Sequence, residues 1–324
     1  MTTTGQNTGP ATGQNDARTD RTEQTAQTAQ TARTAGGKRP VTVIGLGNLG
    51  LVLAETFLSA GHPTTVWNRS PAKADKLVAR GAVRAATPAE AITAGELVVV
   101  ALLDTDTVRD TLAPAGPALA GRTLVNITTS APGPARELAA WAAGHGADHL
   151  EGAVYAVPQT IGTPEAFVLY SGSRAAFDTY RDQLDLLGAS VFTGGDAGLG
   201  SVYDMAILSG MYGMFSGFFQ AVALAGTEQI KAADLTVHLV AWLKAVADAL
   251  PGFAAEIDSG DYATVTSNLE MNAAGLGGIL SATVAQGIGT ELLSPLRTLL
   301  DDQVAQGHGA ASLSRAIESL RPGD

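Results

Sequence analysis

Val41-Thr42-Val43-Ile44-Gly45-Leu46-Gly47-Asn48-Leu49-Gly50 sets a short β-branched run directly against G-x-G-x-x-G, with an aliphatic, alanine-containing segment following. A buried strand that turns on glycine into a helix fits this order. Gly45 permits the tight turn, Gly47 lets the backbone approach a pyrophosphate, and Gly50 lets helix and strand pack closely. The amides of Leu46, Asn48 and Leu49 add donors at the positive end of the helix dipole. In a chain with 38 glycines the six-residue pattern alone is weak. Its setting between a predicted strand and helix makes it a dinucleotide-binding turn.

Working outward, short apolar runs recur at Thr64–Trp67, Leu97–Leu103, Thr123–Ile127, His149–Val154, Phe167–Tyr170 and Ser190–Phe192, with alanine-rich helical stretches between most of them. Runs of this length alternating with helices predict βαβ units and a mostly parallel sheet covered on both faces, a doubly wound α/β domain. After Gly194 no strand is expected. From about Gly200 to Arg321 the chain reads as helix, broken at Leu250-Pro251-Gly252, Asp258-Ser259-Gly260 and Gly307-His308-Gly309. The expected organisation is a tail over residues 1–38, a Rossmann domain over 39–197, and a long interdomain helix with an all-helical domain over 198–324. Residues 1–38 contain no Val, Ile, Leu, Phe, Trp or Tyr, so disorder is expected there.

Twenty basic residues against 31 acidic ones give a net charge of −11, which opposes binding to nucleic acid or an anionic membrane. The absence of cysteine removes thiolate chemistry and suits a reducing cytosol. No apolar signal segment follows Met1, and the cytoplasm is the expected location. His62, His145, His149, His238 and His308 are scattered without ligand spacing, so no metal is expected. Met205–Ala225 holds 21 uncharged residues and passes a membrane-span test by length. A single span in mid-chain would separate the two domains and lacks flanking cations, so burial between domains and subunits is the better reading.

At the end of the second strand, where NAD enzymes place a carboxylate for the ribose, the sequence has Asn68-Arg69-Ser70-Pro71-Ala72-Lys73. Asn68, Arg69, Ser70 and Lys73 can donate to a 2′-phosphate and no anion repels it, which favours NADPH. In the apolar helix the polar exceptions are Tyr203, Asp204, Ser209 and Tyr212. Asp204 and Tyr212, about two turns apart, are expected on one face. A carboxylate early in an apolar helix is expected to titrate above its ordinary value. It could also merely complement the helix dipole.

Several further segments carry a family resemblance: Asn126-Ile127-Thr128-Thr129-Ser130, Glu151-Gly152-Ala153 with Val157-Pro158-Gln159, Tyr203-Asp204-Met205-Ala206, and Ile257-Asp258-x-Gly260-x-Tyr262. With the glycine turn, they make the chain similar to NADPH-dependent imine reductases, relatives of the β-hydroxyacid dehydrogenases, over about residues 40–321. The resemblance implies a domain-swapped homodimer that reduces C=N bonds of imines, or of ketone and amine together, with Asp204 and Tyr212 as catalytic groups. It places Asp204 where the hydroxyacid enzymes carry their proton-donating lysine. It also implies Thr128 and Thr129 beside the nicotinamide, and a substrate pocket drawn from Asn126, Ser130, Trp242, Met271 and Asn272. The competing readings are a 3-hydroxyacid dehydrogenase or aldehyde reductase, and an NADPH-binding regulatory protein without turnover.

Overall fold

The computed structural model describes residues 37–321. The expected tail, residues 1–38, lies outside the described residues up to position 36. The described chain divides between Ile207 and Leu208 into two compact units.

The first unit is built on one eight-stranded sheet: β1 (Val41–Ile44), β2 (Thr64–Trp67), β3 (Val83–Arg84), β4 (Leu97–Val100), β5 (Thr123–Asn126), β6 (Asp148–Tyr155), β7 (Phe167–Gly172) and β8 (Ala189–Gly194), in spatial order β3-β2-β1-β4-β5-β6-β7-β8. Every pairing is parallel except β6 with β7. The central strands are buried on both faces, which is why they read as continuous apolar runs. Val43, Val99 and Val125 enter a core with Leu53, Phe57 and Phe177, while Ile44, Val98, Val100 and Leu124 enter another with Ile92, Leu112 and Leu119.

Two sequence expectations change here. The two-residue strand β3 is not among the expected strands, because Val83 and Arg84 are both exposed at the sheet edge and carry no apolar pattern. The fourth strand stops at Val100 rather than Leu103, since its neighbours end at Ile44 and Asn126 and leave residues 101–103 no ladder to join. Strand order reverses between β1 and β4, and the crevice beyond the carboxyl ends of such strands is where doubly wound sheets bind ligands.

The second unit is helical: the continuation of the long helix α7 (Gly198–Gly226), then α8 (Ala232–Ala247), α9 (Leu250–Ser259), α10 (Leu269–Ala285) and α11 (Ser294–Gln303). The shorter helices α1 (Asn48–Ser59), α2 (Asp75–Val78), α3 (Pro88–Ala94), α4 (Thr105–Leu112), α5 (Pro132–Gly144) and α6 (Arg174–Leu184) belong to the first unit. Beyond Gly194 the described residues form only an isolated bridge between Asn268 and Ser312.

The break expected at Leu250-Pro251-Gly252 falls about two residues earlier, between the end of α8 at Ala247 and the start of α9 at Leu250, just ahead of Pro251. Pro251 sits in the first turn of α9, where its missing N–H would have had no partner. The expected stop at Gly260 is real, with φ at 69° in the left-handed region. Breaks at residues 227–231 and 286–293 come in addition to the expected ones. The first contains Gln229 at φ 62° and the second contains Gly287 at φ 71°.

Two helical stretches, Gly198–Gly226 and Ala232–Ser259, are long and apolar enough to cross a membrane by length and composition. Almost none of the residues in their apolar windows are fully buried, and Phe215, Phe219 and Trp242 are among the exposed side chains.

Candidate active site

Gly45 has φ 97°, and a Cβ there would stand 2.2 Å from the Ala101 carbonyl oxygen. Only glycine lets the turn after β1 pass this close to β4. A Cβ on Gly50 would meet the Gly45 oxygen at 1.9 Å, which fixes the approach of α1 to the strand. At Gly47 nothing lies within 4 Å of that position, so the backbone faces open cleft. No side chain caps α1 and no acid occupies its first turn, leaving its amides available for an anion.

The cleft has a volume of about 510 Å³ and reaches from this turn to Arg69, Ser70 and Lys73 on one side and to Thr128 and Thr129 on the other. These residues fit NADPH: helix amides for the pyrophosphate, two cations for the 2′-phosphate. Asn68 lines the same cleft and also braces it. Its Oδ1 accepts from Leu46 N at 2.9 Å and its Nδ2 donates to the Ser70 oxygen at 3.1 Å, so it ties the glycine turn to the phosphate loop. Leu46 itself is fully buried core beneath the turn. Asn48 and Leu49 line the cleft.

At the other end, Asp196 precedes α7, and its Oδ1 accepts from Gly198 N at 2.9 Å. A second first-turn amide, Gly200 N, donates to Ser171 Oγ at 2.9 Å. A Cβ on Gly200 would lie 2.9 Å from that oxygen and 3.3 Å from the Glu151 carbonyl. The helix therefore packs against β6 and β7 at glycine. One turn later it delivers Asp204 to a small cavity shared with Thr128, Thr129, Ser130, Glu151 and Ser201. Thr128 and Thr129 line both this cavity and the large cleft, so they form the wall where the two adjoin. Thr128 is held by Leu102 N, which donates to its Oγ1 at 3.0 Å.

Asp204 is 7% exposed, and burial lifts its carboxyl above the ordinary carboxylate value against the opposing pull of the Tyr155 and Thr129 hydroxyls. It is the seventh residue of the helix, beyond the first turn in which a carboxylate complements the dipole. Tyr155, stacked on Phe167 with ring centroids 4.6 Å apart, has a buried hydroxyl with no well-formed hydrogen bond. Burial and the nearby Asp204 charge raise its phenol well above the usual tyrosine range.

Asn126 and Ser130 face inward. Asn126 Nδ2 donates to both Glu151 carboxylate oxygens at 3.0 and 3.1 Å, and Ser130 Oγ donates to Glu151 Oε1. With Asn126 1% and Ser130 4% exposed, both support a buried carboxylate instead of lining an open substrate pocket.

The remaining expected residues belong to the second unit. Tyr212 is 64% exposed with its ring edge-on to Phe215, and Trp242 and Met271 are likewise exposed. Asn272 donates to Ser267 Oγ and to the Asn268 oxygen. Tyr212 does not share the buried face of Asp204, because eight residues turn a helix about 80° past two full turns. Glu151 and Tyr155 carried no role in the sequence reading. A carboxylate inside an otherwise apolar strand run was the signal for Glu151, while nothing in the sequence marked Tyr155.

The profile of the NADPH-dependent reductive aminase-like C-terminal domain matches residues 196–322, and that of the NAD binding domain of 6-phosphogluconate dehydrogenase matches 40–195. The chain is 42% identical over 287 residues to the NADPH-dependent reductive aminase of Aspergillus oryzae, across 87% of this chain and 97% of that one. The chain belongs to the reductive aminase and imine reductase family. Solved members share its fold: a reductive aminase from Aspergillus terreus in complex with NADPH4, cyclohexanone and allyl amine has 41% identity and a TM-score of 0.83, covering 88% of this chain and 100% of that one. The Streptomyces aurantiacus imine reductase has 34% identity and a TM-score of 0.83 at the same coverage. Membership in this reductase family removes the regulatory-protein and hydroxyacid-dehydrogenase readings. It agrees with the aspartate at position 204, since a carboxylate favours a cationic iminium and would oppose a developing alkoxide.

Proposed function

We propose that the protein catalyses NADPH-dependent reduction of imines and iminium ions to amines, and reductive amination of a ketone with an amine. One observation carries this reading: Asp204, buried and raised in pKa, meets the dinucleotide cleft at the shared wall of Thr128 and Thr129. When bound, NADPH would supply the hydride that reduces the substrate carbon. The first-turn amides of α1 would hold the pyrophosphate, and Arg69, Ser70 and Lys73, which line the same cleft, would hold the 2′-phosphate. Asp204 balances the iminium charge or gives its proton to the imine nitrogen, with Thr129 and Tyr155 orienting the carboxyl. Protonated Asp204 serves the same way in condensation, helping hydroxide leave as water.

In our reading Tyr212, Trp242, Met271 and Asn272 reach the substrate from the helical unit of a domain-swapped homodimer, and the enzyme works in the cytoplasm. The exposed apolar faces of α7 and α8 support the dimer, because such area left in water is far more than a monomer usually shows. Sedimentation at micromolar concentration should give a dimer. A stable, active monomer would refute that part of the proposal.

The test of activity is NADPH oxidation with small cyclic imines beside the corresponding 3-hydroxyacids run in reverse. Turnover with imines alone is expected; turnover confined to hydroxyacids would overturn the assignment. NADPH should be favoured over NADH by about 1.5–3 kcal/mol, roughly 10- to 150-fold, as charge-assisted hydrogen bonds to the phosphate provide. Arg69→Ala and Lys73→Ala should each raise KM for NADPH and leave that for NADH unchanged. Equal use of both cofactors by the unaltered enzyme would contradict the assignment of that loop.

A further inference from the structure

Glu151 lies in β6 between Asn126 on β5 and Ser171 on β7, and it is 3% exposed. Its carboxylate is the centre of a buried polar cluster: Asn126 Nδ2 meets both oxygens, Ser130 Oγ donates to Oε1, and Ser201 Oγ lies 3.5 Å from Oε1. Two titratable groups face it. His149 on its own strand places Nε2 3.5 Å from Oε2, and Asp204 approaches from α7. The neighbouring strands offer only Asn126 and Ser171, neither of which titrates.

Glu151 and Asp204 line the same cavity, whose volume is about 10 Å³. That is the lower limit for one water molecule, for which roughly 10–15 Å³ and two to four polar partners are needed. The partners are present in Ser130, Ser201, Thr129 and the two carboxyl groups.

We propose that Glu151 is a positioning residue and proton store for Asp204, coupled to it through one water held in the cavity between them. The inference rests on the reading of Asp204 given above. When Asp204 gives its proton to the imine nitrogen, the Glu151 O–H proton passes to the water and a proton of that water passes to Asp204. Glu151 is left as carboxylate, held by Asn126 and Ser130, and is reloaded from solvent between turnovers. The two electrons of the reduction travel with the hydride, so the relay moves protons only.

Burial pushes the Glu151 carboxyl up to about 7 against its hydrogen bonds, with the Asp204 charge adding to the rise, while burial pushes His149 down to about 4 and keeps it neutral. The store is therefore full below about pH 7 and empties as the pH rises through that value. In the wild-type holoenzyme kcat with a cyclic imine should fall across this interval. In Glu151→Gln the inflection should vanish and kcat below pH 7 should drop roughly 10- to 100-fold, less than the 10²–10⁴ of a direct acid–base group. KM and NADPH affinity should be unchanged, and Glu151→Asp should restore the inflection. Infrared titration of the NADPH-bound protein gives a second readout that needs no Glu151 variant. A buried protonated carboxyl should disappear near pH 7 in the wild type and at lower pH in Asp204→Asn, where the like charge is gone.

A folded Glu151→Gln whose pH profile superposes on the wild type would overturn the relay, as would an infrared titration unmoved by Asp204→Asn. If Asp204→Asn retains normal turnover, the reading of Asp204 fails instead. Lost turnover in Asp204→Asn beside an unaltered Glu151→Gln profile would refute the relay alone.

Discussion

Replacing Asp204 by Asn lowers kcat for imine reduction by about 10²–10⁴, the share usually carried by a positioned acid–base group. The substitution keeps shape and volume and removes both the charge and the titration. NADPH affinity stays close to the wild-type value, because Asp204 lines the small cavity and not the dinucleotide cleft. The unfolding midpoint changes little, since a carboxyl raised by burial gains less from ionisation in the fold than in water. A carboxylate serving the helix dipole would behave in the opposite way: about 0.3–1 kcal/mol of stability lost and turnover nearly normal. Steady-state kinetics and thermal unfolding of this one variant separate the two outcomes, and normal kcat would sink the catalytic assignment.

Gly45→Ala damages both folding and cofactor binding. The position combines a φ of 97° with a gap of 2.2 Å between the methyl carbon that alanine would add and the Ala101 carbonyl oxygen, and a backbone atom cannot rotate away. Left-handed strain on a residue with a side chain costs about 1–3 kcal/mol, and overpacking adds about 1–3 kcal/mol. The expected loss is thus about 2–6 kcal/mol, a large share of the ordinary 5–15 kcal/mol of a folded protein. Relief requires the turn to move off β4, which also moves the first-turn amides of α1. Calorimetry should show a midpoint lower by on the order of 10 °C, and titration should show NADPH binding weakened at least tenfold, or about 1.4 kcal/mol. An unchanged midpoint with unchanged affinity would mean that the turn is not held as described.

Much of this was legible along the chain. The strand, glycine turn and helix of residues 41–59 are set by local stereochemistry, and the apolar runs that became β1, β2, β4 and β5 mark themselves because parallel strands are buried on both faces. Local signals also carried the wrong weight in places. The Pro251 signal marked a real break but misplaced it by about two residues, because a proline cannot continue the preceding helix yet fits the first turn of the next, so the gap falls at 248–249. Val83-Arg84 became a strand only because the edge of β2 offered hydrogen bonds, which no pattern in two exposed residues could reveal.

By itself the sequence determined the α/β unit followed by a helical one, the site of the dinucleotide turn, the cationic loop at Arg69 and Lys73, and the anomalous carboxylate at Asp204. These are properties of single segments, fixed by periodicity, backbone conformation and charge. Tertiary structure alone decided what those segments meet. It turned the Asn68 amide into a brace between two loops, set Glu151 against Asn126 and Ser130 from β5 and its following turn, and brought Tyr155 to Asp204. Residues 126, 151 and 201 are far apart in the chain, and only the parallel order of β5 and β6 with α7 packed at Gly200 brings them within hydrogen-bond reach. The ionisation of a carboxyl follows from that enclosure, because desolvation depends on every neighbour that excludes water and not on the residues beside it in sequence.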